Sequence, residues 1–240
     1  MKKKILLIIP AYNEQDNILS TYNSIKKYDK ENKYDVIVIN DGSSDNTFEI
    51  CKENNIPTIN LIQNLGIGGA VQTGYKYAFN NNYDIAIQFD GDGQHDIKCL
   101  NKIISPIISG KADFVIGSRF IKENKSKFQS TYFRRIGINI ISFFIRMVTK
   151  KRIYDTTSGF RACNKKIIKL FNNDYPLEYP EPITNTKLLK MGFVVQEVPV
   201  NMNERKSGKS SIYSWKKIYY MVNVVFSIIM VGVRRYKDVN

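Results

Sequence analysis

The chain has 240 residues, 43% of them hydrophobic, which is enough for one well-buried domain or one domain with an appendage. Its formal charge is +14, with a balance of −3 over residues 1–100 and +17 over residues 101–240. This uneven charge predicts a cation site in the first part and an anionic partner for the second. Three widely spaced cysteines argue against a disulfide framework, and the apolar run near the start is too short for a signal peptide, so we expect a cytosolic protein.

Short β-rich runs alternate with segments of helical length over the first 120 residues. Strands are predicted over 4–10, 34–40, 56–62, 83–90 and 112–120, and helices over about 14–28, 45–54 and 68–79. Apolar strands that alternate with helices predict a mostly parallel sheet covered on both faces. The expected fold class is therefore α/β, in which ligands bind at the carboxyl ends of the strands.

Beyond residue 120 the pattern changes to a charged loop and then to amphipathic helices. In the first helix the apolar positions gather on one side among arginines; they include Ile136, Ile140, Phe143, Phe144 and Met147. The apolar run over 218–233 contains Asn223 and is short for a membrane-spanning helix. Its flanking cations and aromatic residues predict a helix lying in a membrane interface. The alternative is burial in a dimer or against the rest of the fold.

The stretch IQFDGDGQHD, residues 87–96, concentrates acid at the end of the fourth predicted strand. Asp90, Asp92 and Gln94 alternate, so in an extended chain their oxygens face the same side. Such ligands suit Mg²⁺ or Mn²⁺, which keep waters and share a diphosphate with the protein. The alternative is an aspartate-rich turn, in which the three acids would repel one another. We expect His95 to be a neighbour of the metal and not a ligand.

Seven motifs, in order, resemble one family. IIPAYNEQDNI, VIVINDGSSDNT, NLGIGGAVQTGYKYA and FDGDGQHD are similar to family 2 glycosyltransferases of the GT-A fold. GSRF, DTTSGFRACNK and EVPVNMNERKSGKSSI resemble the dolichyl-phosphate mannosyltransferase-like branch. The resemblance runs from about Ile5 to Tyr220. It implies a Rossmann-like, mixed and mostly parallel sheet with helices on both faces, followed by C-terminal amphipathic helices. We expect a catalytic domain over 1–210 and an interfacial helix over 211–240.

The resemblance also implies a nucleotide-sugar site. Its expected members are Pro10, Ala11, Tyr12, Glu14, Asp41, Gly68, Asp90, Arg205 and Lys209. Tyr12 offers a flat face to the base or ribose, and Arg205 and Lys209 meet the diphosphate. Asp92 and Gln94 bind the metal, which neutralises the leaving group. For the glycine-rich stretch around Gly68, tight strand–helix packing is an equally good account.

Two kinds of acceptor stay open. A hydroxyl acceptor needs a carboxylate base, for which Glu181 between two prolines is the candidate. A lipid phosphate is already an anion and needs cations instead. The positions that match the phosphate cradle of the resembled branch are Arg119, Arg135, Asn139, Ser158 and Arg161. We favour the phosphate because arginines adjoin the amphipathic segment, although arginines that merely solubilise a helix are the alternative.

The resulting hypothesis is an inverting, metal-dependent glycosyltransferase with catalytic residues Asp90, Asp92 and Glu181. It moves a sugar from a UDP- or GDP-linked donor to a polyprenyl phosphate and is peripheral to the cytoplasmic face of the membrane. The close alternative is a sugar hydroxyl acceptor in polysaccharide assembly, and a homo-oligomer stays open. A nucleic-acid binder is disfavoured, because the acidic cleft repels polyanions and no zinc-ligand or helix-turn-helix pattern occurs. The full metal set argues against a non-catalytic nucleotide-sugar sensor.

Overall fold

A computed structural model describes residues 3–121, 132–202 and 214–236. Within these ranges one sheet contains β1 (Ile5–Ala11), β2 (Tyr34–Asn40), β3 (Thr58–Asn60), β4 (Ile85–Gln88), β5 (Phe114–Ser118), β6 (Arg161–Asn164) and β7 (Val195–Pro199). The strand order is β3-β2-β1-β4-β6-β5-β7. Of these seven strands, β6 alone runs antiparallel to its neighbours. This confirms the predicted mixed, mostly parallel α/β sheet.

Eight α-helices in the described ranges cover both faces of this sheet. They are α1 (Ile18–Tyr28), α2 (Thr47–Glu53), α3 (Gly66–Asn80), α4 (Leu100–Ile108), α5 (Tyr132–Thr149), α6 (Lys165–Asn173), α7 (Pro180–Lys190) and α8 (Ser214–Val233). Apolar residues of α1, α2 and α4 pack into one core, and those of α3, α5, α6, α7 and α8 pack into the other. The C-terminal helix α8 therefore shares a core with α3, α5, α6 and α7.

The central strand β1 shows why the sequence pattern predicted this sheet. All seven of its residues are buried. Leu7 and Ile9 contribute to the core on one face, and Leu6 and Ile8 to the core on the other. A strand with helices on both sides must be apolar at every position, since successive side chains point to opposite faces. The first five strands and the helices between them were predicted, whereas the short strands β6 and β7 were not.

Helix α5 has an apolar side that packs on the core and a second apolar side that does not. Ile141 and Ile145 belong to the core, and Ile138 is buried as well. Of the apolar side predicted from the sequence, only Phe144 packs against the core. The others, Ile136, Ile140, Phe143 and Met147, are exposed. The helix is therefore apolar on two faces and buries only one of them.

The C-terminal helix α8 lies against α5 and α7. Val224 and Ile228 are fully buried, and the Tyr220 ring meets the Tyr179 ring at a centroid distance of 4.9 Å. None of the helices in the three described ranges combines the length and apolar character needed to cross a bilayer. The boundary drawn at residue 210 between a catalytic domain and an interfacial helix stays a prediction.

Two glycines allow α5 and α8 to approach each other closely. A Cβ atom at Gly137 would lie 2.8 Å from the terminal methyl of Met221, and one at Gly232 would lie 2.5 Å from Cβ of Val148. The two helices run in the same direction. Gly137, near the start of α5, meets Met221 in the first half of α8, and Gly232, near the end of α8, meets Val148 near the end of α5.

The chemistry of these neighbours predicts different effects for the same substitution. Gly137→Ala should be neutral or stabilising by up to about 1 kcal/mol, because alanine favours the helix and the flexible Met221 end can move. Gly232→Ala should destabilise by about 1–3 kcal/mol, because the β-branched Val148 cannot move away from the added methyl. Urea unfolding measures both. Equal stability of the two variants would contradict this packing.

Candidate active site

The candidate site lies at the carboxyl edge of the sheet, where β1 has β2 on one side and β4 on the other. The chain passes from β1 to β2 on one side and later to β4 on the other side. The loops that follow β1 and β4 therefore diverge, and a crevice lies between them. The cleft has a volume of about 410 Å³ and is lined by Pro10, Ala11, Tyr12, Glu14, Asp41, Asn64, Gly66, Ile67, Ala70, Asp90, Gly91 and Asp92. The structure thus brings together six of the nine predicted nucleotide-sugar residues. Arg205 and Lys209 lie outside the described residues.

The ninth predicted residue, Gly68, is buried and serves packing. A Cβ atom there would lie 2.2 Å from the carbonyl oxygen of Leu177. The glycine therefore allows α3 to lie against the chain before α7, which is the alternative that the sequence left open. Its neighbours Asn64, Gly66 and Ile67 line the cleft instead.

The loop after β1 is held by the serine- and aspartate-rich loop after β2. The N–H of Asn13 donates to Oγ of Ser43 over 3.0 Å, and Asn13 Oδ1 accepts from the N–H of Ser44 over 2.9 Å. Asn13 has a φ of 55°, a left-handed conformation that asparagine tolerates well. These bonds fix the position of Tyr12, whose side chain is 49% exposed at the mouth of the cleft.

Asp41 forms the buried wall of the cleft on the β2 side. Its Oδ1 accepts a hydrogen bond from the N–H of Leu65 over 2.8 Å. Burial raises the pKa of Asp41, and the backbone N–H groups of Leu65 and Gly66 oppose that rise. Asp41 therefore links the start of α3 to the end of β2 by a hydrogen bond and forms part of the cleft wall.

The acidic motif does not continue β4 as an extended chain, so the expectation that its three oxygens align in a strand was wrong. Gly93 has a φ of +72°, and Asp92 Oδ1 accepts from the N–H of Gln94 over 3.0 Å. Glycine permits this left-handed turn without a steric penalty. Asp90 and Asp92 still line the cleft, whereas Gln94 is not among its described lining residues.

The ligand set in the cleft suits a cation that is held mainly by its substrate. Across the described ranges, no three His, Cys, Asp or Glu side chains cluster closely enough to enclose a metal ion. Asp90 and Asp92 supply two carboxylates at the same wall. Mg²⁺ and Mn²⁺ take few protein oxygens and complete their shells with water and phosphate, so these residues fit such an ion.

Asp90 is kept charged by the polar groups around it. Its Oδ2 lies 3.0 Å from Nε2 of His95, and Nε2 of Gln88 lies 3.4 Å from its Oδ1. Burial alone would raise the pKa of Asp90, but His95, Gln88 and Arg161 together lower it. Gly159 leaves the necessary room, since a Cβ atom there would lie 2.4 Å from Oδ2 of Asp90.

His95 has the surroundings of a positioning residue for Asp90. Its ring is buried and stacks on Phe160 at a centroid distance of 4.8 Å, with Phe89 at its edge. Its Nδ1 has no hydrogen-bond partner in the part of the chain that the structure describes. When Nε2 carries a hydrogen, it donates that hydrogen to the carboxylate of Asp90. The sequence located His95 beside the motif but did not indicate this contact.

Arg161 lies beneath the acids, where it interacts with two carboxylates. Its Nε donates to the carbonyl of Ser158 over 2.6 Å, and its Nη1 donates to Oγ1 of Thr184 over 2.7 Å. Burial raises the pKa of Glu181, Arg161 opposes that rise and Asp90 adds to it. Nη2 of Arg161 has no partner among the described residues. Ser158 is fully buried beside this group.

Glu181 stands in the first turn of α7, two residues after a residue with a strained backbone. Tyr179 precedes the helix with φ and ψ both at 48°, a left-handed conformation that is unusual for tyrosine. The prolines on both sides of Glu181 restrict the backbone, as the sequence predicted. The carboxyl group is therefore held on a rigid helix start, electrostatically linked to Asp90.

The remaining predicted acceptor residues form a second group around the start of α5. Nε and Nη2 of Arg119 each donate to Asp155 over 2.7 Å. The guanidinium of Arg119 lies 5.3 Å from the Phe120 ring, and that of Arg135 lies 5.4 Å from the same ring. Asn139 follows one turn later and is exposed. Nη2 of Arg119 also donates to Oγ1 of Thr157 over 3.0 Å, so this group adjoins the segment that carries Ser158.

The loop that carries Asp155 is fixed from β7. The N–H groups of Tyr154 and Asp155 donate to the carboxylate of Glu197 over 2.7 and 2.8 Å. The sequence did not predict this role of Glu197, because the residue lies on β7, a strand that was not predicted either. Through Asp155, this carboxylate sets the position of Arg119.

A crevice at the switch point of a mostly parallel sheet, with two aspartates in its wall, is the arrangement of a GT-A glycosyltransferase. The profile described as "Glycosyl transferase family 2" matches residues 6–171. The chain belongs to glycosyl transferase family 2, in its dolichyl-phosphate mannosyltransferase-like branch.

Relatives of known activity cover most of the chain. A UDP-N-acetylglucosamine–dolichyl-phosphate N-acetylglucosaminyltransferase from Methanococcus voltae is 33% identical over 82% of this chain and 85% of its own. A polyprenol monophosphomannose synthase from Mycolicibacterium smegmatis is 24% identical over 88% of this chain and 81% of its own. Glucosyl-3-phosphoglycerate synthase from Mycobacterium tuberculosis, crystallised with Mn²⁺, UDP and phosphoglyceric acid, matches with a TM-score of 0.71 at 14% identity. That match covers 98% of this chain and 80% of the other, and it shows the shared fold.

Substitutions of His95 test its role in holding Asp90. His95→Gln keeps an N–H donor and should retain most of the transferase activity. His95→Phe keeps the aromatic packing but removes the donor, so kcat should fall about tenfold or more. Without the donor the pKa of Asp90 should rise, and the acid limb of the pH–rate profile should move to higher pH. Equal kcat values and unchanged pH profiles for both variants would contradict the assignment.

Proposed function

We propose that this enzyme transfers a sugar from a nucleotide-diphosphate sugar, UDP- or GDP-linked, to a polyprenyl phosphate at the cytoplasmic face of a membrane, with inversion. One observation carries the proposal: a cleft with the carboxylates of Asp90 and Asp92 on one wall is accompanied by a cluster of arginines at the start of α5. The carboxylates suit a metal-bound diphosphate donor, and the arginines suit an anionic acceptor. The names of the relatives support the same pairing of donor and acceptor.

The donor half of the reaction uses the cleft between β1 and β4. Tyr12 at its mouth and Asp41 in its wall bind the nucleoside, and Asp90 contacts the nucleotide or the sugar. Asp92 would hold the Mg²⁺ or Mn²⁺ ion, together with Gln94 if its side chain turns toward the cleft on binding. The bound ion would neutralise the diphosphate as it leaves.

The acceptor half uses the group of cations at the start of α5. Asp155 fixes Arg119, and Arg134 lies close enough to Arg119 for their charges to interact. Arg135 approaches Phe120 from α5. Three guanidinium groups at a helix N-terminus form a favourable environment for a phosphate group, because the helix dipole adds to their charge.

The acceptor site and the catalytic acids are connected through Tyr220 of α8. Burial, Glu181 and Tyr179 raise the pKa of Tyr220 to about 12, and Arg134 opposes that rise. Tyr220 therefore lies between the arginines of α5 and the carboxylate of α7. This arrangement supports a phosphate that is held by the arginines and directed toward the sugar.

A phosphate acceptor requires a simple displacement. A phosphate oxygen of the lipid attacks the anomeric carbon, and the bond from that carbon to the diphosphate oxygen breaks. The nucleoside diphosphate leaves with the electron pair, so the configuration inverts. No proton has to be removed from the acceptor, which explains why cations matter more here than a base. In this step the residues of the chain bind the donor and the acceptor, orient them and screen their negative charges.

Transfer of label tests this function directly. The enzyme is incubated with radiolabelled UDP-N-acetylglucosamine, UDP-glucose or GDP-mannose, with Mn²⁺ and undecaprenyl phosphate in detergent. Label should enter the lipid phase with one of these donors, and EDTA should abolish the transfer. Asp92→Asn should lower the rate at least about a hundredfold, because the leaving group loses its counter-charge. Asp16→Asn, at an exposed acid outside the cleft, is the matched control. Failure of every donor would reject the lipid acceptor.

A sugar hydroxyl is the second candidate acceptor, because Glu181 is a half-buried carboxylate electrostatically linked to Asp90. Burial raises its pKa, so the carboxylate is a better base than an exposed glutamate and loses its charge at a higher pH.

Glu181→Gln separates the two acceptors. With a phosphate acceptor the variant should keep its rate within about tenfold, since no base is required. With a hydroxyl acceptor the rate should fall by about a hundredfold or more, and the loss of activity at low pH should disappear with the titrating group. The measurement is a pH–rate profile on polyprenyl phosphate and on an oligosaccharide, with Glu178→Gln as the exposed control.

A further inference from the structure

Gln88 and Arg161 face each other across two neighbouring strands. They are paired directly in the antiparallel ladder of β4 and β6, and each is only 1% exposed. Side chains that are directly opposite in such a ladder lie on the same face of the sheet, with Cβ atoms about 5 Å apart. Ala86 and Cys163, the pair two residues away on this face, belong to the core that α7 helps to form. Both polar side chains therefore lie on the face of the sheet that carries α7.

The amide of Gln88 has a defined orientation. Its Nε2 lies 3.4 Å from Oδ1 of Asp90, and Gln88 also opposes the rise that burial causes in the pKa of Glu181. An ionised carboxylate accepts hydrogen bonds and cannot donate them, so the NH₂ end of the amide is the end that faces Asp90. The other end is the carbonyl oxygen Oε1. It is buried and has no hydrogen-bond partner among the residues that the structure describes.

Arg161 presents the complementary group. Its Nε donates to the carbonyl of Ser158, its Nη1 donates to Oγ1 of Thr184, and its guanidinium lies 5.7 Å from the centre of the Phe114 ring. These contacts leave Nη2, which is buried and has no partner in the described part of the chain. A buried acceptor on Gln88 and a buried donor on Arg161 therefore belong to directly opposed side chains.

These two atoms are not hydrogen-bonded to each other, although their strands are adjacent. A buried polar atom without a partner has lost its hydration and gained nothing in return, which is costly and uncommon in folded proteins. Two such atoms on neighbouring side chains, too far apart for a direct bond, are typical of a position where one small polar group bridges them. The pair thus has the character of a binding position.

The chemistry of the two atoms selects the bridging group. Nη2 of Arg161 can only donate and Oε1 of Gln88 can only accept, so the group must accept one hydrogen bond and donate another. An ionised phosphate or carboxylate has no hydrogen to donate, and Asp90 and Glu181 would repel it. An ammonium group has no lone pair, and Arg161 would repel it. A hydroxyl group, of water or of a sugar, meets both requirements.

We propose that Gln88 and Arg161 bind one hydroxyl group between them, beside Asp90. Nη2–H of Arg161 donates to the hydroxyl oxygen, and the hydroxyl hydrogen is donated to Oε1 of Gln88. In the free protein this group is a water molecule. When the donor binds, the water stays or a hydroxyl of the donor sugar replaces it. The second case rests on the proposed function and makes Gln88 a residue that determines which sugar is accepted.

A crystal structure of the free enzyme that shows ordered waters tests the binding position itself. A water oxygen should lie about 2.7–3.2 Å from both Oε1 of Gln88 and Nη2 of Arg161. Gln88→Met has a side chain of similar length without the acceptor, so the water should be lost from its structure. Gln196→Met, at an exposed glutamine of β7, is the matched control and should keep the water.

The wild-type structure decides the outcome whether or not a variant folds. A direct hydrogen bond between Gln88 and Arg161, or no water at this position in a structure that shows ordered waters elsewhere in the core, would overturn the proposal. A water that remains unchanged in Gln88→Met would overturn it as well.

Donor analogues distinguish the two sources of the hydroxyl. Binding of UDP-N-acetylglucosamine, UDP-glucose and GDP-mannose is measured by calorimetry with Mn²⁺, and the donor that binds is compared with analogues that each lack one sugar hydroxyl. If a sugar hydroxyl enters the position, one analogue should bind the wild type about tenfold or more weakly than the donor, and this difference should shrink in Gln88→Met. The same ratios in both proteins would assign the position to water in the donor complex too.

These measurements separate the inference from the proposed function, because neither the structure nor the calorimetry uses an acceptor. Transfer of label to polyprenyl phosphate by an enzyme without this bound hydroxyl would refute only the inference about Gln88 and Arg161. A hydroxyl bound between them, without transfer from any donor, would refute only the proposed acceptor.

Discussion

The charge of one half-buried carboxylate, that of Asp90, is the feature around which the wall of the cleft is arranged. Removal from water disfavours the charged form of Asp90, so its surroundings have to compensate. His95, Gln88 and Arg161 do so, and their combined effect lowers the pKa of Asp90 despite burial. The absence of a side chain at Gly159 permits the close approach of the backbone. Phe160, the next residue in the chain, stacks on the ring of His95 and thereby orients this hydrogen-bonding partner of Asp90.

The arginines of the chain divide into two functions that their sequence does not distinguish. Arg161 is 1% exposed and shares its charge between Asp90 and Glu181, so it stabilises the acids from within. Arg119 is anchored by Asp155, while Arg135 reaches the same Phe120 ring from α5. A buried ion pair of this type fixes geometry more than it adds stability. Arg161 therefore acts on the carboxylates of the cleft side, whereas Arg119 and Arg135 adjoin Phe120.

The C-terminal helix connects these parts. Through Tyr220 it contacts the strained Tyr179, two residues before Glu181, and through its glycine contacts it packs along α5. A movement of α8 would consequently reach both the start of α7 and the arginines of α5. The exposed apolar residues of α5 lie on the same helix as Arg134 and Arg135.

Much of the fold and part of the site followed from local patterns in the chain. The apolar runs of β1 to β5 identified the parallel sheet, because a strand buried on both faces must be apolar throughout. Residues at the ends of β1, β2 and β4 were expected to meet, and the cleft contains six of the nine predicted donor residues. The short strands β6 and β7 escaped prediction, since their pairing with β5 is long-range and their sequences are weakly apolar. The left-handed turn at Gly93 escaped it as well, because glycine is compatible with several backbone conformations.

By itself, then, the sequence determined the family, the parallel sheet and the edge of that sheet where the carboxylates lie, because these depend on residue types at short separation. Only the tertiary structure decided that His95 contacts Asp90, that Arg161 lies beneath the acids while Arg119 pairs with Asp155, and which side of α5 is buried. Those features depend on contacts between segments far apart in the chain. An amphipathic pattern alone cannot distinguish the face that packs on the core from a second apolar face left exposed.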